Sequence, residues 1–160
     1  MIAACGQPPK AMKKPKILLI DDEPGLLRLM TLMLRERYEV RSVADATEAL
    51  AAVLKFKPDL VILDWIMPTM NGGDVAQQVR ADPRVCDTRI LFLSAIILKR
   101  EMPQEVVGFP AVDKPIGLHE LVEAIEEQLA GGRGTPHPTH VPEMLGVHDK
   151  EAQTLIHRNE

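Results

Sequence analysis

Short continuous apolar runs alternate along this chain with stretches in which apolar residues recur every three or four positions. The first run, Ile17-Leu18-Leu19-Ile20, ends in Asp21-Asp22-Glu23. Pro24 follows, where the first turn of a helix tolerates proline. Leu26, Leu27, Met30, Met33 and Leu34 then share one helical face, which predicts a helix to about Arg37. Glu39 to Val43 reads as a short strand. Asp45 with Glu48 three residues on is a capping-box arrangement, opening a second helix continued by Ala49, Leu50, Val53 and Leu54. Lys57-Pro58-Asp59 turns the chain into strand Leu60–Leu63, which delivers Asp64. Asp74, Val75, Val79 and Arg80 predict a third helix stopped near Asp82-Pro83, and Ile90 to Leu93 is a further apolar run ending in Ser94. A poorly patterned segment with Pro103, Gly108 and Pro110 follows. Ala111-Val112-Asp113 is a brief strand before Lys114-Pro115. Leu118, Leu121, Val122, Ile125 and Leu129 mark a last amphipathic helix closed by Gly131-Gly132.

Strands alternate with helices throughout, and several strands are apolar on both faces. That is the pattern of a parallel sheet covered by helices on both sides. Residues 1–15, with Pro8, Pro9 and Pro15, read as a flexible leader, and residues 16–130 as one α/β domain. Residues 131–160 turn rich in Gly, Pro and His and read as a flexible tail. One short helix around Met144, Leu145, Ala152, Leu155 and Ile156 is the most structure expected there. His137 and His140 lack a cysteine or acidic partner at zinc-site spacing, so the tail is not read as a metal site.

Composition narrows the function classes. A net charge of −4 with no basic stripe lacks the electrostatic footprint of a nucleic-acid binder. No apolar run approaches the ~20 residues of a membrane span. Two cysteines, Cys5 and Cys86, are too few for a disulfide framework and point to a reducing, cytoplasmic setting. A soluble signalling or catalytic domain remains.

Parallel strands joined by right-handed crossovers end on one edge, where α/β proteins build their sites. Four strand ends carry polar groups here: Asp21-Asp22, Asp64, Ser94 and Lys114. Any one of them alone would more often be a cap, a turn hydroxyl or a surface lysine. Together they predict a cluster of acids with one lysine beside it. Three carboxylates in close proximity call for a cation, and hard oxygen ligands suit Mg²⁺.

The order Asp21-Asp22, Asp64 followed by Met67-Pro68 and Met70-Asn71-Gly72, then Ser94-Ala95, then Lys114-Pro115, resembles the receiver domain of bacterial two-component response regulators. The resemblance covers about residues 16–130. It implies a flavodoxin-like, doubly wound five-stranded parallel sheet of order 2-1-3-4-5 with five helices. It implies that Asp64 accepts a phosphoryl group from a sensor histidine kinase or phosphotransfer protein. Asp22, Asp64 and the backbone carbonyl of Ile66 would hold Mg²⁺, with Asp21 helping through water. Ser94 and the Ala95 amide would receive the phosphoryl oxygens, with Lys114 paired to them, and the Lys114–Pro115 bond would be cis. Output would pass by protein contact to a downstream protein, with no nucleic acid or membrane involved, and the domain itself would not be an enzyme. The residues two beyond the acceptor and two beyond the hydroxyl, Ile66 and Ile96, would flank the path of hydrolytic water.

The sequence departs from that pattern between Ser94 and Lys114, where the segment is short and Pro103 weakens the fourth helix, and at one position of the last strand. The aromatic usual three residues before the lysine is Ala111, and Phe109 lies two residues earlier. Two other readings stay open: a partner-binding pseudo-receiver that no longer uses phosphate, and an aspartyl-phosphate hydrolase. The hydrolase would want Asp-x-Asp after the first strand, where the third acidic residue is Glu23.

Overall fold

The computed structural model describes residues 13–95 and 110–131, with only the backbone of residues 94 and 95. Five strands form one parallel sheet: β1 (Lys16–Ile20), β2 (Glu39–Val43), β3 (Leu60–Asp64), β4 (Arg89–Ala95) and β5 (Ala111–Lys114). Their spatial order is β2-β1-β3-β4-β5, and every pairing is parallel. Four α-helices lie among the described residues: α1 (Pro24–Leu34), α2 (Ala49–Phe56), α3 (Gly72–Ala81) and α4 (Leu118–Ala130). The architecture is the flavodoxin-like doubly wound sheet. The fourth helix expected before β5 falls at residues 96–109, outside the described residues, so the last helix of the sequence reading is α4 here.

Side chains alternate across each strand, so the same run feeds two cores. Leu18, Ile20, Val61 and Leu63 pack with Val53 of α2 and Val79 of α3 on one face. Ile17, Leu19, Leu60 and Ile62 pack with Met30 of α1 and Leu121 of α4 on the other. Every residue of β3 is buried, which is why it reads as a continuous apolar run rather than an alternation. β2 and β5 are the sheet edges, and their residues are half-buried or exposed. Asp59 ties the start of β3 to β1, its carboxylate accepting from the Lys16 amide at 2.8 Å.

Three local expectations need correction. The first helix ends at Leu34 rather than Arg37, because the Leu34 carbonyl accepts from the amides of both Arg37 and Tyr38. Tyr38, 6% exposed, then turns into the core and starts the path to β2. Asp45 does not open a capping box with Glu48. Its carboxylate accepts from the amide and hydroxyl of Thr47, forming a 3₁₀ turn over Ala46–Glu48 that precedes α2. The third helix begins at Gly72, two residues before Asp74, because the Asn71 side chain accepts from the Asp74 amide and caps it.

At the opposite end of the sheet from Asp64, the Arg89 guanidinium donates to the carbonyl of Gly131 and closes α4. The amide of Gly117 donates to Glu120 at the start of that helix. Beyond Gly131 the chain lies outside the described residues, as do the first twelve residues.

Candidate functional site

β1 and β3 lie side by side with Ile20 opposite Leu63, so the residues that follow, Asp21 and Asp64, reach the carboxyl edge together. Asp64 pairs with Leu93, and Ala95 pairs with Lys114, which carries the lysine to the same edge. The register of three strand pairs thus builds the acid cluster, and no loop has to wander to assemble it.

One carboxylate oxygen from each of Asp21, Asp22 and Asp64 lies within 4.8 Å of the other two. Asp21 is 1% exposed and Asp64 7%, whereas Asp22 faces solvent. Lys114 Nζ stands 2.6 Å from Asp21 Oδ2 and 3.1 Å from Asp64 Oδ1. The second oxygen of Asp21 accepts from the Glu23 amide at 2.8 Å, which turns the chain into α1. Both oxygens of Asp21 are therefore engaged, while Asp22 points its carboxylate toward water beside the cluster.

Burial pushes the Asp64 carboxyl above the usual carboxylate range, and the Lys114 ammonium offsets that only in part. Burial works against the Lys114 charge too, but its hydrogen bonds to Asp21 and Asp64 outweigh the penalty and leave the ammonium more basic than usual. Two buried carboxylates facing one cation leave an excess of negative charge. Hard oxygen donors at this spacing fit a small divalent ion that keeps part of its water shell.

The segment from Asp64 to α3 is held tightly. The Trp65 amide donates to the Leu93 carbonyl at 3.0 Å, and the Gly72 amide donates to the Trp65 carbonyl at 2.9 Å. Met67 tucks into the core while Ile66 is 57% exposed. The Trp65 ring meets Phe92 edge to face, with centroids 5.3 Å apart. A Cβ on Gly72 would sit 2.3 Å from the carbonyl oxygen of Asp64, and one on Gly73 would sit 3.1 Å from the Trp65 ring. Gly72 and Gly73 form the first turn of α3, pressed against the end of β3.

Of the residues singled out from the sequence, Asp21, Asp22, Asp64 and Lys114 come together at one edge. The Ser94 and Ala95 backbone extends β4 opposite Asp113 and Lys114, and their side chains lie outside the described residues. Ile66 follows Asp64 by two positions in the loop that leads to α3. The Lys114–Pro115 peptide bond is cis. Ala111 is half-buried and packs on the core that contains Phe92, while Phe109 and Ile96 fall outside the described residues. The sequence reading passed over Trp65 and the Asn71 cap. An asparagine three residues before an aspartate, ahead of an apolar run, was the available signal for that helix start.

Residues 17–126 match the family model of the response regulator receiver domain. The chain is 34% identical over 151 residues to the DNA-binding response regulator MtrA of Mycolicibacterium smegmatis, covering 91% of this chain and 61% of that protein. It thus spans less than two thirds of the length of that curated relative. Among solved structures, a response regulator from Chloroflexus aurantiacus superimposes with a TM-score of 0.67 at 31% identity, covering 74% of this chain and 99% of that one. The receiver domain of a sensor histidine kinase from Pseudomonas aeruginosa, solved with a magnesium ion in its active-site cleft, gives a TM-score of 0.66 at 26% identity, covering 73% and 98%. With its sheet order, its edge cluster of acids and lysine, and these matches in agreement, the chain belongs to the family of response regulator receiver domains.

Proposed function

We propose that this domain is a phosphoacceptor in two-component signalling and that Asp64 is the residue phosphorylated. The observation that carries the reading is Asp64 itself: a nearly buried carboxylate at the end of β3, made more basic by burial, 3.1 Å from Lys114 and clustered with Asp21 and Asp22. A carboxylate of raised basicity is a competent nucleophile for acyl-phosphate formation. One Asp64 oxygen attacks the phosphorus of a phosphohistidine or of a small acyl phosphate. The bond from phosphorus to the donor breaks, and the donor leaves with its electron pair. Lys114 holds a positive charge beside the phosphoryl oxygens as the new bond forms. Asp22, Asp64 and the Ile66 carbonyl are the residues that would hold Mg²⁺, with Asp21 bound to Lys114. That ion, when bound, neutralises charge on the phosphoryl oxygens.

Receiver domains signal rather than act as ordinary enzymes, and response regulators interact with histidine kinases. The partner proposed here is accordingly a sensor histidine kinase or phosphotransfer protein, and output passes by protein contact to a downstream protein. The relatives named as DNA-binding are longer than the span matched here. For this domain no nucleic-acid contact is proposed, in keeping with the net charge of −4 of the whole chain. Among the described residues no helix is long and apolar enough to cross a membrane, and a cytoplasmic location is proposed.

The complete set of acids and lysine weighs against a pseudo-receiver. The hydrolase reading would want Asp-x-Asp after β1; the last of those positions is Glu23, whose backbone amide donates to Asp21. The test is labelling by acetyl phosphate with Mg²⁺. Wild type should gain one acid-stable, base-labile phosphoryl group, and Asp64→Asn none. Equal labelling of the two proteins would overturn the assignment.

A further inference from the structure

The amino ends of β1, β2 and β3 share one edge of the sheet, opposite the edge that carries Asp64, because the three strands run parallel. Each is entered by exposed cations: Lys13 and Lys14 precede β1, Arg35 and Arg37 precede β2, and Lys55 and Lys57 precede β3. Hydrogen bonds join the three entries into one surface. Lys14 Nζ donates to the Arg35 carbonyl at 3.0 Å, the Glu39 amide to the Pro15 carbonyl at 2.9 Å, and the Asp59 amide to the Lys16 carbonyl at 2.8 Å. Half-buried Lys16 and exposed Arg41 lie over the Phe56 ring, with Nζ 5.0 Å and Cζ 4.6 Å from its centroid, which draws the end of α2 into the same pole. The acids there are Glu36, Glu39 and Asp59, with Glu126 of α4 at 3.5 Å from Arg37. Eight cations against those four acids leave the pole positive.

The same strands lead out into acids. Asp22 and Glu23 after β1 and Asp45 and Glu48 after β2 are exposed, Asp64 ends β3, and the turns that follow the three strands hold no lysine or arginine. The domain is therefore a dipole along its strands. Read in order, the sequence scatters these cations and shows no basic stripe; the parallel register collects them.

We propose that this basic pole rests on the anionic surface of a lipid bilayer, with the Asp64 edge turned toward solution. A flat surface of one charge attracts one end of a dipole and repels the other, so it selects this orientation. Clusters of about four to eight lysines and arginines are what an anionic leaflet holds. A protein partner would want an apolar or aromatic anchor. The large apolar side chains exposed among the described residues, Leu29, Leu32, Ile66 and Leu118, come from none of the segments that build the pole. Duplex DNA would want cations strung along its backbone, whereas these converge on the ends of three adjacent strands. The chain before β1 has the same sign: it holds Lys10 as well, and the first acid in the sequence is Asp21. The contact is peripheral, in keeping with a cytoplasmic location.

Co-sedimentation of the full chain with vesicles decides the matter. In about 50 mM salt, vesicles of phosphatidylcholine with about one third phosphatidylglycerol should hold half the protein at accessible anionic lipid on the order of 1 mM. Vesicles of phosphatidylcholine alone should hold none, and about 0.5 M salt should release the bound protein by screening. Lys57→Glu should weaken partitioning roughly fivefold or more, as should Lys55→Glu, with the thermal midpoint unchanged. Arg28→Glu makes the same change in net charge on the flank of α1 and should weaken it by less than about twofold. Wild type that ignores anionic vesicles would overturn the proposal, as would equal binding to neutral ones or equal losses from Arg28→Glu and the pole variants. So would duplex DNA that strips the protein from the vesicles at equal phosphate concentration, since the pole would then belong to nucleic acid.

Discussion

Lys114 lies closer to Asp21 than to Asp64, at 2.6 Å against 3.1 Å. Asp21 is the more deeply buried of the two acids, and its other oxygen is fixed by the Glu23 amide. Asp21 is therefore the anchor of the lysine, and Asp64 is the partner from which the lysine can be drawn away. Lys114→Met should leave Asp21 buried without its counter-ion and cost roughly 3 kcal/mol, the usual penalty for orphaning a buried charge. Adding Asp21→Asn to that variant should recover much of the loss, and the cycle is read by urea unfolding in the presence of a chelator. Additive losses in the double variant would show that the pair is not coupled.

The raised basicity of Asp64 makes its charged form a burden on the folded state. Below its ordinary pKa the group is protonated in both states and costs nothing. As pH rises through its elevated folded value, the unfolded chain ionises more readily and stability is lost. Asp64→Asn removes this dependence, so at pH 7 without divalent ions the variant should melt a few degrees higher, the order of ~1 kcal/mol for a domain of this size. The gap should close as pH falls below about 4. Lys114 contributes in the other range: its raised pKa keeps its pairs intact through neutral pH, with loss only as pH climbs above the ordinary lysine value. Melting curves of the two proteins from pH 3 to pH 8 check this, and a variant less stable than wild type at pH 7 would contradict it.

Gly72 sits where a side chain would collide with the backbone of Asp64 at 2.3 Å and of Trp65 at 3.1 Å. Neither atom can yield by rotating a side chain. Gly72→Ala should therefore push α3 off the end of β3, at a cost of about 1–3 kcal/mol, and should shift the emission of Trp65, the one tryptophan in the chain. Gly73→Ala meets the Asn71 side chain at 3.0 Å and the edge of the Trp65 ring at 3.1 Å. Those groups can adjust, so its melting temperature should fall less. Equal losses for the two variants would place the constraint elsewhere.

Ile66 is exposed by 57% just beyond the proposed acceptor and has no polar atom to orient a water. If its position flanks the path of hydrolysis, the acyl phosphate on Asp64 should persist for many minutes. Ile66→Asn should shorten its life, since one positioned polar contact is commonly worth ~10²-fold in such a step. Being exposed, the residue can be changed without opening the core, so a faster decay could not be blamed on unfolding. The decay of labelled protein, wild type against variant, settles it; equal rates would remove the idea.

The sequence alone carried the sheet and its cluster. Ile17–Ile20 and Leu60–Leu63 are apolar at every position because helices cover both faces of the sheet, and a chain can announce that without tertiary information. Once parallel strands are inferred, their carboxyl ends share one edge, which puts Asp21, Asp22, Asp64 and Lys114 on it; strand order and register then bring them into contact. The boundaries were less legible. Leu34 ends α1 only because buried Tyr38 pulls the chain back toward the core, and Asp45 bonds Thr47 rather than meeting Glu48. Gly72 and Gly73 look like loop residues in isolation, and only the closeness of β3 shows that a helix there demands them. The division of labour among the acids was also left to the fold. Asp21 and Asp22 are adjacent and identical in sequence, yet a strand end turns one inward to Lys114 and the other out to solvent. Chemistry local to the chain sets which groups are available; which of them is buried, and against what charge, is set by the packing of strands distant in sequence.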